Sequence, residues 1–207
     1  MNKPRIILVA NDDGIASPGL LRLANAAARL GDVWVAAPAG QCSGMSQKIT
    51  IAGEISVEKR DFPADVKAAY AIGGTPADCV KTAIKSLLPV KPDVVFSGIN
   101  SGFNTGFDIA YSGTLGAAFE AVMNGVPAMA FSNAMHSPLD IAGTYLVDII
   151  RELTEAGQGR GEVWNVNFPA VAPDQLKGIL RDRTVAPIQF YSENYRETRL
   201  PDGAVAL

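Results

Sequence analysis

An α/β fold with a mainly parallel sheet and helices on both of its faces is what this sequence predicts. Three observations carry the prediction. Short apolar runs alternate with helix-like segments through the first three quarters of the 207 residues. Several of those runs are continuously apolar, as expected of strands buried on both faces. Three helices also announce their starts with the same hydroxyl–proline pair.

The first strand is Ile6-Ile7-Leu8-Val9-Ala10, followed by a helix over 18–30 that Ser17-Pro18 opens and Gly31 ends. Val33-Trp34-Val35-Ala36-Ala37 reads as the second strand. Residues 48–73 interrupt the rhythm, and Ile49-Thr50-Ile51 with Ile55-Ser56-Val57 reads as an inserted β-hairpin. Thr75-Pro76 opens a helix over 76–88, with Asp78 placed to reach back to the cap. Val94-Val95-Phe96 and Val126-Pro127-Ala128-Met129-Ala130-Phe131 are further buried strands, separated by a helix over 114–124 that Gly125 terminates. Ser137-Pro138, with Asp140 behind it, predicts a helix over 138–156 ending at Gly157. Val163-Trp164-Asn165-Val166-Asn167-Phe168 alternates apolar and polar residues and suits a strand nearer the sheet edge. Residues 1–177 form the expected core domain. Residues 178–207, with Pro187, Pro201 and mixed polar and aromatic residues, read as an extended C-terminal arm.

Composition narrows the function. Eighteen basic against twenty-one acidic residues leave a formal charge of −3, and the longest basic run is Lys59-Arg60, which argues against duplex nucleic-acid binding by a broad basic face. No apolar stretch reaches the length of a membrane helix, and the Ile6–Ala10 run is too short for a signal peptide, so a cytoplasmic protein without membrane partners is expected. Cys42 and Cys79 are too few for a disulfide framework or a thiolate zinc site. His136 is the only histidine, which excludes HExxH and multi-histidine sites. The chemistry must rest mainly on carboxylates, hydroxyls, amides and backbone.

In open α/β sheets that chemistry sits where strands run out into loops. Asn11-Asp12-Asp13-Gly14 follows the first strand. Two adjacent carboxylates repel, so either one keeps a proton or a cation lies between them. An oxygen donor set favours a hard ion such as Mg²⁺, Mn²⁺ or Ca²⁺; the alternative reading is that both aspartates merely cap a turn. Residues 97–116 hold five glycines interleaved with Ser97, Asn100, Ser101, Asn104, Thr105, Ser112 and Thr114. Such a segment lets backbone N–H groups approach an anion. Ser112-Gly113-Thr114 at a helix start is a candidate phosphate site. No GxGxxG or Walker A motif is present, so dinucleotide enzymes and P-loop NTPases lose support.

At these loops the sequence resembles the SurE family, the survival-protein nucleotidases. The matching stretches are Asn11-Asp12-Asp13-Gly14 with Pro18-Gly19, Ala37-Pro38 with Ser43-Gly44 and Ser46, and Gly74-Thr75-Pro76-Ala77-Asp78-Cys79. Ser97-Gly98-Ile99-Asn100 with Gly102, Asn104 and Gly106 follows, then Tyr111-Ser112-Gly113-Thr114 and Gly125-Val126-Pro127-Ala128. The resemblance implies a Rossmann-like core and a phosphatase acting on nucleoside 5′-monophosphates, with 3′-monophosphates and short polyphosphate as further candidates. It also implies one divalent cation per subunit, Mg or Mn, held by Asp12, Asp13, Ser43 and Asn100. Gly44, Ser46, Asn104, Ser112, Gly113 and Thr114 would complete the phosphate pocket, and Asp12 and Asp13 would be the catalytic pair. Attack by water and attack by an aspartate are both compatible with this pattern, and the residues present oppose an Asp-x-Asp phosphatase, since Gly14 takes the second acidic position. A non-catalytic nucleotide- or metal-binding domain is the alternative.

Two departures stand out. Family members commonly carry Asn-Arg before the metal-binding serine, where this chain has Gln41-Cys42, leaving Lys48 as the basic substitute. Members also continue past a segment matching Tyr195-Arg196-Glu197 into an arm that associates subunits, so a homodimer or homotetramer is expected with a truncated or divergent arm. Elsewhere the plain readings hold: His136 on a rim loop, Cys79 in the core, Cys42 without chemistry, Trp34 and Trp164 buried, and Glu120 solvated.

Overall fold

Ile7 and Val9 face one side of the sheet while Leu8 and Ala10 face the other, and all four are fully buried. Strand β1 (Ile6–Ala10) is therefore covered on both sides, which is why its run carries no polar residue. The computed structural model describes residues 4–191, 196–201 and 205–206.

The other strands of the main sheet are β2 (Asp32–Pro38), β3 (Val57–Arg60), β4 (Ala68–Ile72), β5 (Val94–Ser101), β6 (Ala128–Asn133) and β7 (Trp164–Phe168). Their spatial order is β3-β4-β2-β1-β5-β6-β7, and every pairing is parallel except β3 with β4. Helices α1 (Pro18–Ala27) and α4 (Asp140–Ala156) cover one face; α2 (Pro76–Thr82) and α3 (Gly113–Met123) cover the other. On the first face Phe131 meets Phe96 edge-on and stacks with Phe168, a run of rings across β5, β6 and β7. Each fully buried ring of this size contributes about 2–3 kcal/mol of hydrophobic stabilisation.

The chain leaves β1 through α1 toward β2, and crosses from β4 through α2 to β5 on the other side of β1. The direction of winding thus reverses between β1 and β5, which opens a crevice at their carboxyl ends.

Several expectations shift. A hairpin does lie within 48–73, but its strands are β3 and β4, not 49–51 and 55–57. Strand β4 pairs with β2 as a regular member of the parallel sheet, and β3 is its exposed antiparallel edge. Residues 83–87 continue α2 as a π-helical turn, so the predicted 76–88 helix is one segment with a widened end. Helix α1 stops at Ala27, before Gly31. Ser17 and Thr75 cap their helices as expected, and Thr75 with Asp78 forms a full capping box. Ser137-Pro138 does not: α4 starts at Asp140 without a side-chain cap. Asn133 explains this, because its amide donates to the carbonyls of Ser137 and Pro138 and holds both outside the helix. Trp34 and Trp164 are half-buried, not buried, each lying on the margin of a core cluster.

In the arm, β8 (Thr198–Arg199) pairs with β9 (Val205–Ala206). Tyr195 of the predicted family segment lies outside the described residues.

Candidate active site

Asp12 and Asp13 follow β1, and Asn100 and Ser101 end β5, so strand pairing alone brings the two loops together at the crevice. The β5–β6 register slips between Ser97 and Asn100, a bulge of the kind that re-aims side chains at a sheet edge.

Asp12 is only 3% exposed. Its Oδ1 accepts a 2.7 Å hydrogen bond from the hydroxyl of Thr114, which lies 102 residues later in the chain and is itself fully buried. Burial pushes the Asp12 carboxyl up to about 6; the Thr114 hydroxyl opposes that shift, and the neighbouring Asp13 charge adds to it. Gly113 permits the approach, since a Cβ there would stand 2.9 Å from the Asp12 Cβ and 3.0 Å from its Oδ2. Asp13 is half-buried, and its Oδ2 accepts the Ser101 N–H at 3.1 Å. Burial raises its carboxyl as well, against the lowering effect of the Ser101 bond.

The turn that aims these carboxylates is braced by a residue with no assigned role in the sequence reading. Asn11, fully buried, donates from Nδ2 to the Gly14 carbonyl (3.0 Å) and to the Ser17 hydroxyl (2.7 Å), tying the turn to the cap of α1. Gly19 then packs against the Ile99 carbonyl, where a Cβ would collide.

Asn100 donates its Nδ2 to the Gly102 carbonyl at 2.8 Å. A carbonyl can pair only with the NH₂ end, so Oδ1 is the end left for a cation. Asp13 and Asn100 line one cavity of about 240 Å³ with Ser17, Gly19, Ser101 and Asn133. Ser43 comes from the loop after β2, which is anchored where Cys42 N–H donates to the Asp12 carbonyl at 2.7 Å. Its side chain is exposed and accepts from Gln41 Nε2 at 3.1 Å. Asp12 thus packs with Gly113 and Thr114, Asp13 and Asn100 share one cavity, and Ser43 lies on an adjoining, more exposed loop.

The remaining phosphate candidates have other engagements. Ser112 caps α3 by accepting the Leu115 N–H. Thr114 gives its hydroxyl to Asp12. Ser46 is exposed, and its hydroxyl donates to the Ala110 carbonyl at 2.7 Å. Gly44 is exposed and has open space where a Cβ would sit. Asn104 is buried and donates its Nδ2 to the Ser132 hydroxyl at 2.8 Å, so its amide nitrogen is spent on β6. The start of α3, whose first backbone N–H groups have no intrahelical acceptor, packs against the Asp12 carboxyl through Gly113 and Thr114.

Glu120, expected in solvent, is buried and accepts from Gln47 Nε2 (3.2 Å) and Asn124 Nδ2 (2.9 Å). His136 is exposed on the loop after β6. Cys79 is fully buried, which pushes its thiol well up, and Cys42 is raised by its own burial and by the nearby Asp12 charge.

The two aspartates fit a hard divalent ion. Among the described residues neither forms an ion pair with Lys or Arg, and no third His, Cys, Asp or Glu joins them. Further ligands must then be neutral oxygens, which Asn100 and Ser43 carry.

The profile of the family described as "Survival protein SurE" matches residues 7–188. The chain is 45% identical over 185 residues to the protein named 5′-nucleotidase SurE of Cytophaga hutchinsonii, covering 86% of this chain and 70% of that one. It is 36% identical over 206 residues to the protein of the same name from Flavobacterium psychrophilum, covering 98% and 79%. The crystal structure of the Sure protein from Aquifex aeolicus matches the fold with a TM-score of 0.79 at 34% identity, covering 97% of this chain and 79% of that one.

Proposed function

The chain belongs to the SurE family, and on that premise we propose that it is a metal-dependent 5′-nucleotidase, releasing phosphate from nucleoside 5′-monophosphates. The observation that carries this reading is the buried Asp12 held by Thr114 at the start of α3, beside Asp13 and with no basic partner among the described residues. An uncompensated carboxylate pair next to a helix N-terminus is suited to binding a cation and a phosphoryl group together.

Asp12, Asp13, Asn100 and Ser43 would hold one Mg²⁺ or Mn²⁺ per subunit. A bound divalent cation supplies Lewis acidity and positive charge for a phosphoryl group. The chain supplies the rest. Asp12 is fixed in one orientation by Thr114, so little rearrangement accompanies ligation. Asp13 is half-buried and, among the described residues, accepts a hydrogen bond only at Oδ2, so its Oδ1 would orient an attacking water. The N–H group at Gly113, in the field of α3, would receive a phosphoryl oxygen, and Ser112 keeps that helix start in place. Gly44 and Ser46, on the loop after β2, would border the site, and Asn104 would support it through its hydrogen bond to Ser132.

The same site would accept 3′-monophosphates and short polyphosphate, in a cytoplasmic homodimer or homotetramer. Among the described residues no helix is long and apolar enough to cross a membrane. Hydrolysis of AMP and GMP with and without Mn²⁺ tests the assignment. Metal-dependent phosphate release by the wild type that disappears in Asp12→Asn is the expected result. Binding of AMP without turnover would leave the non-catalytic nucleotide-binding reading instead.

A further inference from the structure

The arm returns to the metal loops after a long exposed excursion. Residues 178–185 have no regular structure and are exposed, and Arg181 pairs with Glu152 of α4. At 188–191 the chain engages firmly. Phe107 N–H donates to the Ile188 carbonyl at 2.8 Å, and Asp108 Oδ2 accepts from both the Phe190 N–H (2.7 Å) and the Tyr191 N–H (2.9 Å). Asp108 is only 3% exposed, and its Oδ1 has no partner among the described residues. Gly106, at φ +59°, has no room for a Cβ against the Ile188 carbonyl and the Phe190 ring. A buried carboxylate is costly unless hydrogen bonds offset the cost, and here the two bonds it makes hold two successive residues of a segment without regular structure.

That fixing has a consequence at the site. The Tyr191 hydroxyl and the Asn100 Nδ2 each lie 3.8 Å from the point where a Cβ on Gly102 would stand, and the Met135 methyl lies 3.6 Å from it. Tyr191 remains 51% exposed and Met135 55%, so both present their surfaces outward beside a residue proposed to hold the cation. An aromatic ring, a thioether and a hydroxyl next to the phosphate centre match the chemistry of a nucleoside, which has apolar ring faces and polar edges.

We propose that Tyr191, latched beside Asn100 by the buried Asp108, contacts the nucleoside half of the substrate, with Asp108 as its positioning residue; this rests on the nucleotidase reading above. Steady-state hydrolysis of AMP with Mn²⁺ by the full chain tests it, together with inhibition by inorganic phosphate. Tyr191→Ala raises KM for AMP by about tenfold, with kcat and the phosphate inhibition constant changed less than twofold. Tyr191→Phe, which keeps the ring, raises KM less. Asp108→Ala reproduces the Tyr191→Ala split, and the double variant adds nothing further. An unchanged KM in Tyr191→Ala overturns the proposal, as does a joint loss of kcat and phosphate affinity, which would place the ring at the phosphoryl centre. Absence of AMP turnover in the wild type would instead count against the nucleotidase reading.

Discussion

Helices α2 and α3 both start at the carboxyl edge of the sheet and both carry a hydroxyl cap, and an aspartate packs against each start: Asp78 from the first turn of α2 itself, Asp12 from the loop after β1 against Gly113 and Thr114. They differ in how that aspartate is satisfied. Asp78 accepts from the Thr50 N–H and hydroxyl (2.8 Å each) and from the Thr75 N–H (3.0 Å). Burial pushes its carboxyl up, but these hydrogen bonds outweigh it and hold it below the ordinary range. Asp12, at the start of α3, has one strong side-chain donor and a like-charged neighbour, and is pushed up to about 6. At the start of α2 the hydrogen bonds from Thr50 and Thr75 win over burial, whereas at the start of α3 burial wins over the hydroxyl and backbone N–H that Thr114 offers Asp12. A carboxylate satisfied in the first way serves the fold, and one left in the second way serves a ligand.

Substitutions at the two ends sharpen the contrast. Asp12→Asn should lower metal-dependent AMP hydrolysis about a thousandfold or more while leaving the melting curve near that of the metal-free wild type; near-normal turnover would remove Asp12 from the site. Asp78→Ala should do the reverse, costing about 2 kcal/mol of stability in urea unfolding while activity per folded molecule changes less than twofold. If it abolished turnover without loss of stability, the two ends would not be distinct. Thr114→Val keeps the shape but deletes the hydroxyl that steadies Asp12, and calorimetry should show Mn²⁺ binding weakened about tenfold.

The smallest effect concerns pH. Because the Asp12 carboxyl is raised, its contribution to folding of the metal-free chain is full below 3.8 and is lost as pH rises through about 6. A cation needs the deprotonated form, so Mn²⁺ affinity should be level above about pH 6 and fall by up to tenfold per unit below it. Titrations at pH 5, 6 and 7.5 would check the break, which Thr114→Val should move upward.

Local chemistry made much of this legible in advance. The unbroken run at Ile6–Ala10 announced a strand covered on both faces, and Ser17-Pro18 and Thr75-Pro76 announced helix starts, because each depends only on neighbours in sequence. Ser137-Pro138 carries the same signature and fails, since Asn133 takes up the carbonyls around it. The hairpin was misplaced because 49–51 has the composition of a strand, yet Thr50 is engaged by Asp78 instead of a ladder. At the site, Asp12 and Asp13 stood out as a charge pair. The use of Thr114 on Asp12, of Asn104 on Ser132 and of Asp108 on residues 190–191 did not, because each is a contact across 28 to 102 residues made by topology. Glu120 looked solvated for the same reason, its partner Gln47 lying 73 residues away.

The bare backbone at Gly19 against Ile99, and at Gly116 beneath the Ser46 carbonyl, leaves no slack for movement or for larger side chains. By contrast, Gln41, Ser43 and Lys48 are exposed, and the glycines at 40 and 44 face open space. Mutational tolerance should therefore be divided unevenly: Gln41 and Lys48 should accept other side chains with the fold intact, while a side chain at Gly19 or Gly116 should force apart the backbone segments that meet there.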